Sequence, residues 1–467
     1  MPLSVGEVIN VTGGKLCCEG AEAFSGFIID SRKASPGDLF IPLPGEKTDG
    51  HRFIAAALQK GAAGALLDKS RMNLLQEAPV PSGKTLICVD NVMQAMHRIA
   101  LLNRQKYSLP VIAVTGSNGK TTTKDMIASV LSSGYNVLKT EDNLNNHLGL
   151  PLMLLRLEDN HEAAVLEMGM SGFGEIALLA SLALPSFGVI TNIGEAHLAS
   201  LGSRENIARA KNELLVAMGA KGKAFLNGDD PYLRRMGKMF PGEVCYYGFE
   251  EWADLRVLEF FSSDDGLKFG VQTSDGAAEE YRLPYPGKHN VYNALAAIAV
   301  GKHFGIRTQE IKKGLADTRF APMRMEKHQA KGGFRIINDA YNASPASMKA
   351  ALHTLLDQKG NNKSMAILGD MLELGELAEE SHMQIGRYLA GLSTDYLVTV
   401  GKLAALIAEG ARDAGYPQKK IFEAKDTCEA VEHLRSLELK GYCLLLKGSR
   451  DMHMEQIAED LLKQIKN

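Results

Sequence analysis

One segment constrains this chain more than any other: Pro110-Val-Ile-Ala-Val-Thr-Gly-Ser-Asn-Gly-Lys-Thr-Thr-Thr123. An apolar run of strand length enters a loop with two glycines. Apolar residues then recur at helical spacing, as Met126, Ile127, Val130 and Leu131. Glycines let backbone N–H groups approach phosphate oxygens closely, and a helix that starts there points its positive end at them. Lys120 is placed to reach β and γ phosphates, and the Thr121 hydroxyl to ligate magnesium. The spacing is a shorter variant, TGxNGKT, because Val114 stands where the usual GxxxxGK[ST] loop has its first glycine.

The rest of the chain keeps the same rhythm. Short apolar runs alternate with longer amphipathic stretches, the pattern of α/β proteins. Strands are predicted at Val111–Thr115, Val165–Met168, Val189–Ile193 and Ala224–Leu226. Others follow at Phe334–Ile337, Met365–Leu368, Leu397–Val400 and Cys443–Leu446. Most are followed at once by a small or polar residue (Gly116, Gly169, Gly194, Asn227, Asn338, Gly369, Gly401), and in open α/β sheets ligands gather at the carboxyl ends of strands. At 467 residues the chain is long enough for about three domains. The expected division is a small N-terminal α/β unit (1–89), a central mononucleotide-binding domain with a parallel sheet and the phosphate loop (90–317), and a C-terminal Rossmann-like domain (318–467). A helix is predicted over Asn91–Lys106, and a strand-and-turn region over Val244–Pro286.

Charge narrows the partners. Lys and Arg number 52 and Asp and Glu 55, so the net charge is −3. That balance gives no support for nucleic-acid or membrane-surface binding, and any phosphate site must be local. The segment MPLSVGEVIN has no basic or apolar leader character, and the longest apolar stretch, Ala177–Ile190, is broken by Ser181, Pro185, Ser186 and Gly188. No membrane insertion is expected. Six scattered cysteines without a CxxC pair read as reduced thiols, and the expected location is the cytoplasm.

Three further residues stand where chemistry gathers. Glu167 ends the strand Ala-Val-Leu-Glu and suits a magnesium ligand, though a structural carboxylate would fit equally well. His197 follows the next strand in Gly-Glu-Ala-His. Lys211 lies in Ala-Lys-Asn-Glu-Leu, where an ordinary helix lysine is the plainer reading.

Taken together, the phosphate loop, the Glu167 strand end, the Gly-Glu-Ala-His197 turn and the Ala-Lys211-x-Glu-Leu segment resemble the Mur ligase family. So do Gly287-Lys-His-Asn-Val-Tyr-Asn293, Arg324 in Ala-Pro-Met-Arg-Met-Glu, and Asp339-Ala-Tyr-Asn-Ala-Ser-Pro345. These are ATP-dependent amide-bond ligases of peptidoglycan precursor synthesis, and the resemblance covers essentially the whole chain. Asn338–Met348, Leu368–Glu376 and Leu446–Glu455 resemble the members that add the D-alanyl-D-alanine dipeptide. A DNPR-like motif, found in the diaminopimelate-adding members, is absent. Asp30-Ser31-Arg32 with Pro36-Gly37-Asp38-Leu39-Phe40 resembles the uridine-nucleotide side of the family, which folylpolyglutamate synthases lack. Ser344 departs from the frequent Asn of the family's YNANP.

The resemblance implies a reaction of UDP-N-acetylmuramoyl-tripeptide, D-alanyl-D-alanine and ATP through an acyl phosphate, with Mg2+ as cofactor, in a monomer. It implies nucleotide contacts from Gly116, Ser117, Asn118, Gly119, Lys120, Thr121, Thr122, Asn290, Asn293, Arg324 and Asp339. Metal would be held by Thr121, Glu167, His197 and Lys211 as its carbamate, with Lys120, His197 and Lys211 serving catalysis. Ser31, Arg32, Asn145 and Asn146 would face the UDP-substrate, and Tyr341, Asn342 and Ser344 the dipeptide. Another Mur ligase or a folylpolyglutamate synthase is the alternative enzyme. An ATP-driven conformational switch is the alternative of another class.

Overall fold

The computed structural model describes residues 2–45, 48–75, 81–263 and 266–463. The chain divides into two compact units. One comprises Met1–Ala113, Tyr135–Gly169 and Glu175–Ser186, the other Val114–Gly134, Met170–Gly174 and Phe187–Asn467. The boundary cuts through the chain several times, so each unit is built from non-contiguous segments.

In the first unit a five-stranded sheet runs in the order Lys15–Cys18, Thr85–Val89, Gly64–Asp68, Asp38–Phe40, Gly26–Ile28. All neighbours are parallel except the first pair. The central strands are buried on both faces, which is why Gly64–Asp68 and Thr85–Val89 read as unbroken apolar runs rather than alternating ones. Helix Val92–Gln105 matches the predicted one. Asn91 caps it by accepting from the Gln94 N–H at 2.9 Å, and Val92, Met96 and Ile99 enter the core with Leu39, Leu66 and Ile87. The strands Val137–Lys139 and Ala163–Glu167 pair in parallel and complete this unit's part of the central fold.

The second unit holds the phosphate loop and most of the predicted strands. Phe187–Ile190, Lys223–Asn227 and Glu243–Gly248 are parallel neighbours, and Leu255–Ser263 joins in parallel. Gly266–Thr273 and Ala278–Leu283 then follow as an antiparallel meander, the predicted strand-and-turn region. Phosphate-loop helix Lys120–Leu131 packs on helices Lys288–His303 and Thr308–Asp317. There Gly301 and Gly314 face Val130, and a Cβ on either would come within 2.7 Å of it.

A six-stranded sheet closes the chain. Its order is Glu326–Gln329, Arg335–Asn338, Tyr442–Lys447, Lys363–Gly369, Tyr396–Val400, Ile421–Ala424, parallel after the first pair. Successive residues of one strand face opposite cores: Leu368 joins Leu352 and Ile385, while Ile367 joins Val398 and Ile457. The last strand along the chain, Tyr442–Lys447, lies between the second and third of this sheet in chain order. Its carboxyl end therefore meets those of Arg335–Asn338 and Lys363–Gly369 at a topological switch point. No helix among the described residues is long and apolar enough to cross a membrane.

Candidate active site

The phosphate loop is held from below. Gly116 and Gly119 have φ of 148° and 78°, in the region that favours glycine. Their neighbours leave no room for a side chain: a Cβ on Gly119 would lie 2.5 Å from Asn293 Oδ1. The strand Phe187–Ile190 supplies the support at its carboxyl end. Thr191 Oγ1 donates to the Asn118 carbonyl at 2.6 Å, and Asn192 Nδ2 donates to the same oxygen at 3.0 Å. Asn118 N–H donates back to Asn192 Oδ1 at 3.1 Å, and Gly194 N–H to Ser117 Oγ at 2.8 Å. Lys120 Nζ folds over the loop, donating to the Gly116 and Ser117 carbonyls at 2.9 and 3.3 Å. Helix Lys120–Leu131 has no side-chain cap, and Gly119 sits at its N-cap. Its first N–H groups are thus donors for an anion.

Asn290 and Asn293 brace this helix. Both are buried; Thr123 Oγ1 donates to Asn293 Oδ1 at 3.1 Å, and Asn293 Nδ2 to Asn290 Oδ1 at 3.1 Å. Asn290 Nδ2 donates to the Pro286 carbonyl at 2.7 Å. Thr122 is also buried.

Residues more than two hundred positions away converge on the same loop. Arg324 Nη2 donates to Thr121 Oγ1 at 3.0 Å, and its guanidinium lies 4.0 Å from the centre of the Tyr341 ring. Ser344 caps helix Pro345–Gln358, accepting from Ser347 N–H at 3.4 Å, and its hydroxyl reaches Asn118 Oδ1 at 3.3 Å. Asp339 meets Lys447, which is only 3% exposed; Lys447 Nζ also donates to the Asn342 carbonyl at 3.0 Å. Asp339 Oδ1 accepts from Met325 N–H at 3.2 Å. Asn342 Oδ1 accepts from Ala343 N–H at 2.8 Å.

Lys211 sits in helix Arg204–Met218 and is 1% exposed. Among the described residues its side chain makes no hydrogen bond or ion pair. Burial, with the Lys120 charge as the second cause, pushes its pKa well below the ordinary lysine range. His197, in a left-handed conformation (φ 64°), has Nδ1 3.1 Å from Glu373 Oε2. The His197 side chain beside it holds Glu373 below the usual carboxylate range; burial opposes this, and the Lys120 charge assists it.

In the first unit Glu167 is 2% exposed, and its strand end is fixed by N–H donation to Thr140 Oγ1 at 2.9 Å. Asn145 Nδ2 donates to Glu167 Oε1 at 2.8 Å, whereas Oε2 is shielded from solvent and has no hydrogen-bond partner among the described residues. A buried carboxylate oxygen without a donor fits a hard divalent cation. No three His, Cys, Asp or Glu side chains converge among the described residues, and Mg2+ characteristically uses one or two carboxylates together with substrate phosphates. Asn146 Oδ1 accepts from Leu148 and Gly149 N–H at 3.0 and 2.9 Å, in the turn that leads into the helix Gly149–Leu154. Ser31 and Arg32 lie in a short 3-10 turn. Arg32 forks onto Asp30 through two 2.9 Å bonds, which lower the Asp30 pKa to about 2, and its own side chain is largely exposed.

Family models match three consecutive stretches: the Mur ligase family catalytic domain over 24–104, the Mur ligase middle domain over 114–301, and the Mur ligase glutamate ligase domain over 323–450. The chain belongs to the Mur ligase family. Among curated proteins it is 43% identical to the UDP-N-acetylmuramoyl-tripeptide--D-alanyl-D-alanine ligase of Bacillus subtilis, covering 94% of this chain and 93% of that one. Among solved structures it is similar to MurF from Acinetobacter baumannii, with a TM-score of 0.88 and 32% identity over 99% of each chain. It is also similar to the ADP complex of MurF from Thermotoga maritima, with a TM-score of 0.81, 28% identity, and coverage of 94% of this chain and 98% of that one.

Sequence reading missed four residues of this cluster. Thr191 and Asn192 lay inside the predicted strand Val189–Ile193; they follow the observed one, Phe187–Ile190, directly. Glu373 and Lys447 lay inside the quoted segments Leu368–Glu376 and Leu446–Glu455, but nothing in a linear string shows which acid or base turns inward.

Proposed function

We propose that this chain is an ATP-dependent, ADP-forming ligase that joins D-alanyl-D-alanine to UDP-N-acetylmuramoyl-tripeptide in peptidoglycan precursor synthesis. The observation that carries this reading is full-length likeness to ligases of that name, together with a phosphate loop contacted by Arg324 and Ser344. A carboxylate is a poor acyl donor, because an oxide would have to leave. Its phosphorylation by ATP gives an acyl phosphate and ADP, and the dipeptide amine then displaces phosphate from the carbonyl. Little covalent chemistry is asked of the protein; its work is positioning and charge neutralisation.

In this reading the loop N–H groups and Lys120 neutralise the β and γ phosphates, and Arg324 adds a planar guanidinium to them. Asn290 and Asn293 hold the adenine-side helix against the loop. Asp339, fixed by Lys447, presents a carboxylate to the ribose. Thr121 and Glu167 would each supply a ligand to Mg2+, whose charge would screen the phosphates. His197 and Lys211, the latter as a carbamate, would serve a second ion. A buried lysine without a partner favours the neutral amine that reacts with carbon dioxide, and the product supplies oxygen atoms to a hard cation. Ser31, Arg32, Asn145 and Asn146 are assigned to the UDP-substrate, and Tyr341, Asn342 and Ser344 to the dipeptide. We assign residues 1–89, 90–317 and 318–467 to the UDP-substrate, ATP and dipeptide domains of a cytoplasmic monomer.

The test is a donor panel with ATP and UDP-muramoyl-tripeptide, read by product mass. D-alanyl-D-alanine should be added, and free diaminopimelate, lysine and glutamate should not. Efficient addition of a single amino acid would move the chain to a sister ligase. ATP turnover needing neither substrate would make it a switch.

A further inference from the structure

At the switch point of the six-stranded sheet, two segments flank the end of strand Tyr442–Lys447. One is Asp339–Ser344, which Lys447 holds through Asp339 and through the Asn342 carbonyl at 3.0 Å. The other is the loop that follows strand Lys363–Gly369. Ser449 ties this loop to the same strand end: its N–H donates to the Asp370 carbonyl at 2.9 Å, and its Oγ accepts from Leu372 N–H at 2.8 Å. Asp370 Oδ1 accepts from Ala404 N–H at 2.7 Å. Between these ties Met371 N–H donates to Nε2 of His382 at 2.9 Å. His382 lies in helix Ala378–Ala390, is fully buried, and has Nδ1 2.6 Å from the Ala378 carbonyl. Those two partners fix the ring. A backbone N–H only donates, so Nε2 carries a lone pair; a carbonyl only accepts, so Nδ1 carries the hydrogen. Burial favours this neutral form, pushing the His382 pKa below the ordinary histidine range against the Ala378 carbonyl and the Asp370 charge.

We infer that His382 is a positioning residue that sets the Met371–Glu373 backbone as one wall of the dipeptide cleft. Ligands of open α/β sheets gather outside the strand carboxyl ends at a switch point. The residues proposed for the dipeptide, Tyr341, Asn342 and Ser344, flank the end of Tyr442–Lys447 on one side, and this loop flanks it on the other. The loop's own side chains do not fix its backbone: Met371 and Leu374 only fill the core beside Ile385. Glu373 has φ of 64°, a conformation that costs free energy and persists where the surroundings hold it. The imidazole supplies that hold, with an acceptor for the loop at one end of a rigid ring and a donor to its own helix at the other. Without the acceptor, Met371 N–H would be buried and unpaired, and the loop would move to satisfy it. The inference rests on the proposed ligase reading for the identity of the ligand, and on the hydrogen bonds alone for the role of the ring.

Two variants of the full-length protein separate the two ends of the ring. A glutamine amide reaches as far as Nε2 and can still accept from Met371 N–H; an asparagine amide reaches only as far as Nδ1 and serves Ala378 alone. His382→Asn should raise the KM for D-alanyl-D-alanine about tenfold, the cost of a buried donor left unpaired, and leave the KM for ATP within about twofold of wild type. His382→Gln should bring the dipeptide KM back to within about threefold of wild type. A merely structural histidine would lower the melting temperature in both variants and separate neither their dipeptide KM values nor dipeptide from ATP. Equal dipeptide KM values in folded His382→Asn and His382→Gln would therefore overturn the inference. Nitrogen-15 ring shifts of histidine-labelled wild type, assigned by comparison with His382→Gln, test the ring without substrates and without the asparagine variant. They should show a protonated Nδ1 and a bare Nε2, and a protonated Nε2 at neutral pH would equally overturn the inference. If the wild type itself does not use the dipeptide, the ligase reading fails and the cleft assignment falls with it, while the ring shifts still report the hold on the loop.

Discussion

Replacing Gly119 by alanine tests the phosphate loop at its tightest point. The new Cβ would stand 2.5 Å from Asn293 Oδ1, and real Cβ contacts essentially never fall below 3.0 Å. The loop or Asn293 must retreat by at least about half an ångström. Asn293 has little freedom to do so, since it accepts from Thr123 and donates to Asn290. Losing one of these bonds costs about 1 kcal/mol. The left-handed conformation, with φ of 78°, adds about 1 kcal/mol for alanine. About 2 kcal/mol against the competent loop corresponds to roughly 30-fold. We expect kcat/KM for ATP to fall by about that factor, with the melting temperature lowered only slightly. The assay is dipeptide-dependent ADP release at varied ATP, repeated in an Asn293→Ala background. There the obstructing oxygen is gone, and Gly119→Ala should cost about fivefold less. A Gly119→Ala protein within threefold of wild type would refute the reasoning, as would equal costs in both backgrounds.

Lys211→Ala should lower turnover by about 10²–10³-fold, with partial recovery on adding short carboxylic acids; carbon-13 bicarbonate should label the wild type and not the variant. Full activity of the alanine variant would remove Lys211 from the mechanism. Asp339→Ala leaves the Lys447 charge buried with carbonyl partners only, and should cost about 3 kcal/mol of stability. Asp339→Leu with Lys447→Met should restore most of that in chemical denaturation, and additive losses would contradict the pairing. Glu7 is held at about 2, first by its hydrogen bond to Lys106 and then by those from Ser4. Its folded pKa is depressed, so its stabilising effect is full above the unfolded value of about 4.5 and is lost as pH falls toward about 2. The melting-temperature gap between wild type and Glu7→Gln should therefore close over that window, and a constant gap would exclude it.

Legibility followed the physics of each element. Strands buried on both faces declare themselves as apolar runs, and Val111–Thr115 was read to the residue. Helix Val92–Gln105 was fixed by its Asn91 cap. Strand ends were less clear. The predicted Val189–Ile193 is observed as Phe187–Ile190, because Thr191 and Asn192 leave the sheet to hold the phosphate loop. A turn former such as Asn146 reads the same whether it shapes a turn or meets a substrate, and here its oxygen accepts from Leu148 and Gly149 N–H in the turn before helix Gly149–Leu154. Long-range pairs were invisible: Asp339 with Lys447, Arg324 with Thr121, and His197 with Glu373 are joined by topology, and no local pattern encodes their distance. The two compact units also follow contacts that cross the chain repeatedly, whereas block boundaries in a sequence are read in order.

The central claim is that ATP activates the tripeptide's terminal carboxylate as an acyl phosphate. Oxygen-18 placed in that carboxylate tests it most directly, with the phosphate released during D-alanyl-D-alanine addition analysed by mass. One labelled oxygen should pass into each phosphate, because the carboxylate oxygen that attacks the γ-phosphate leaves with it. Phosphate free of label, at full yield of the dipeptide adduct, would contradict the account.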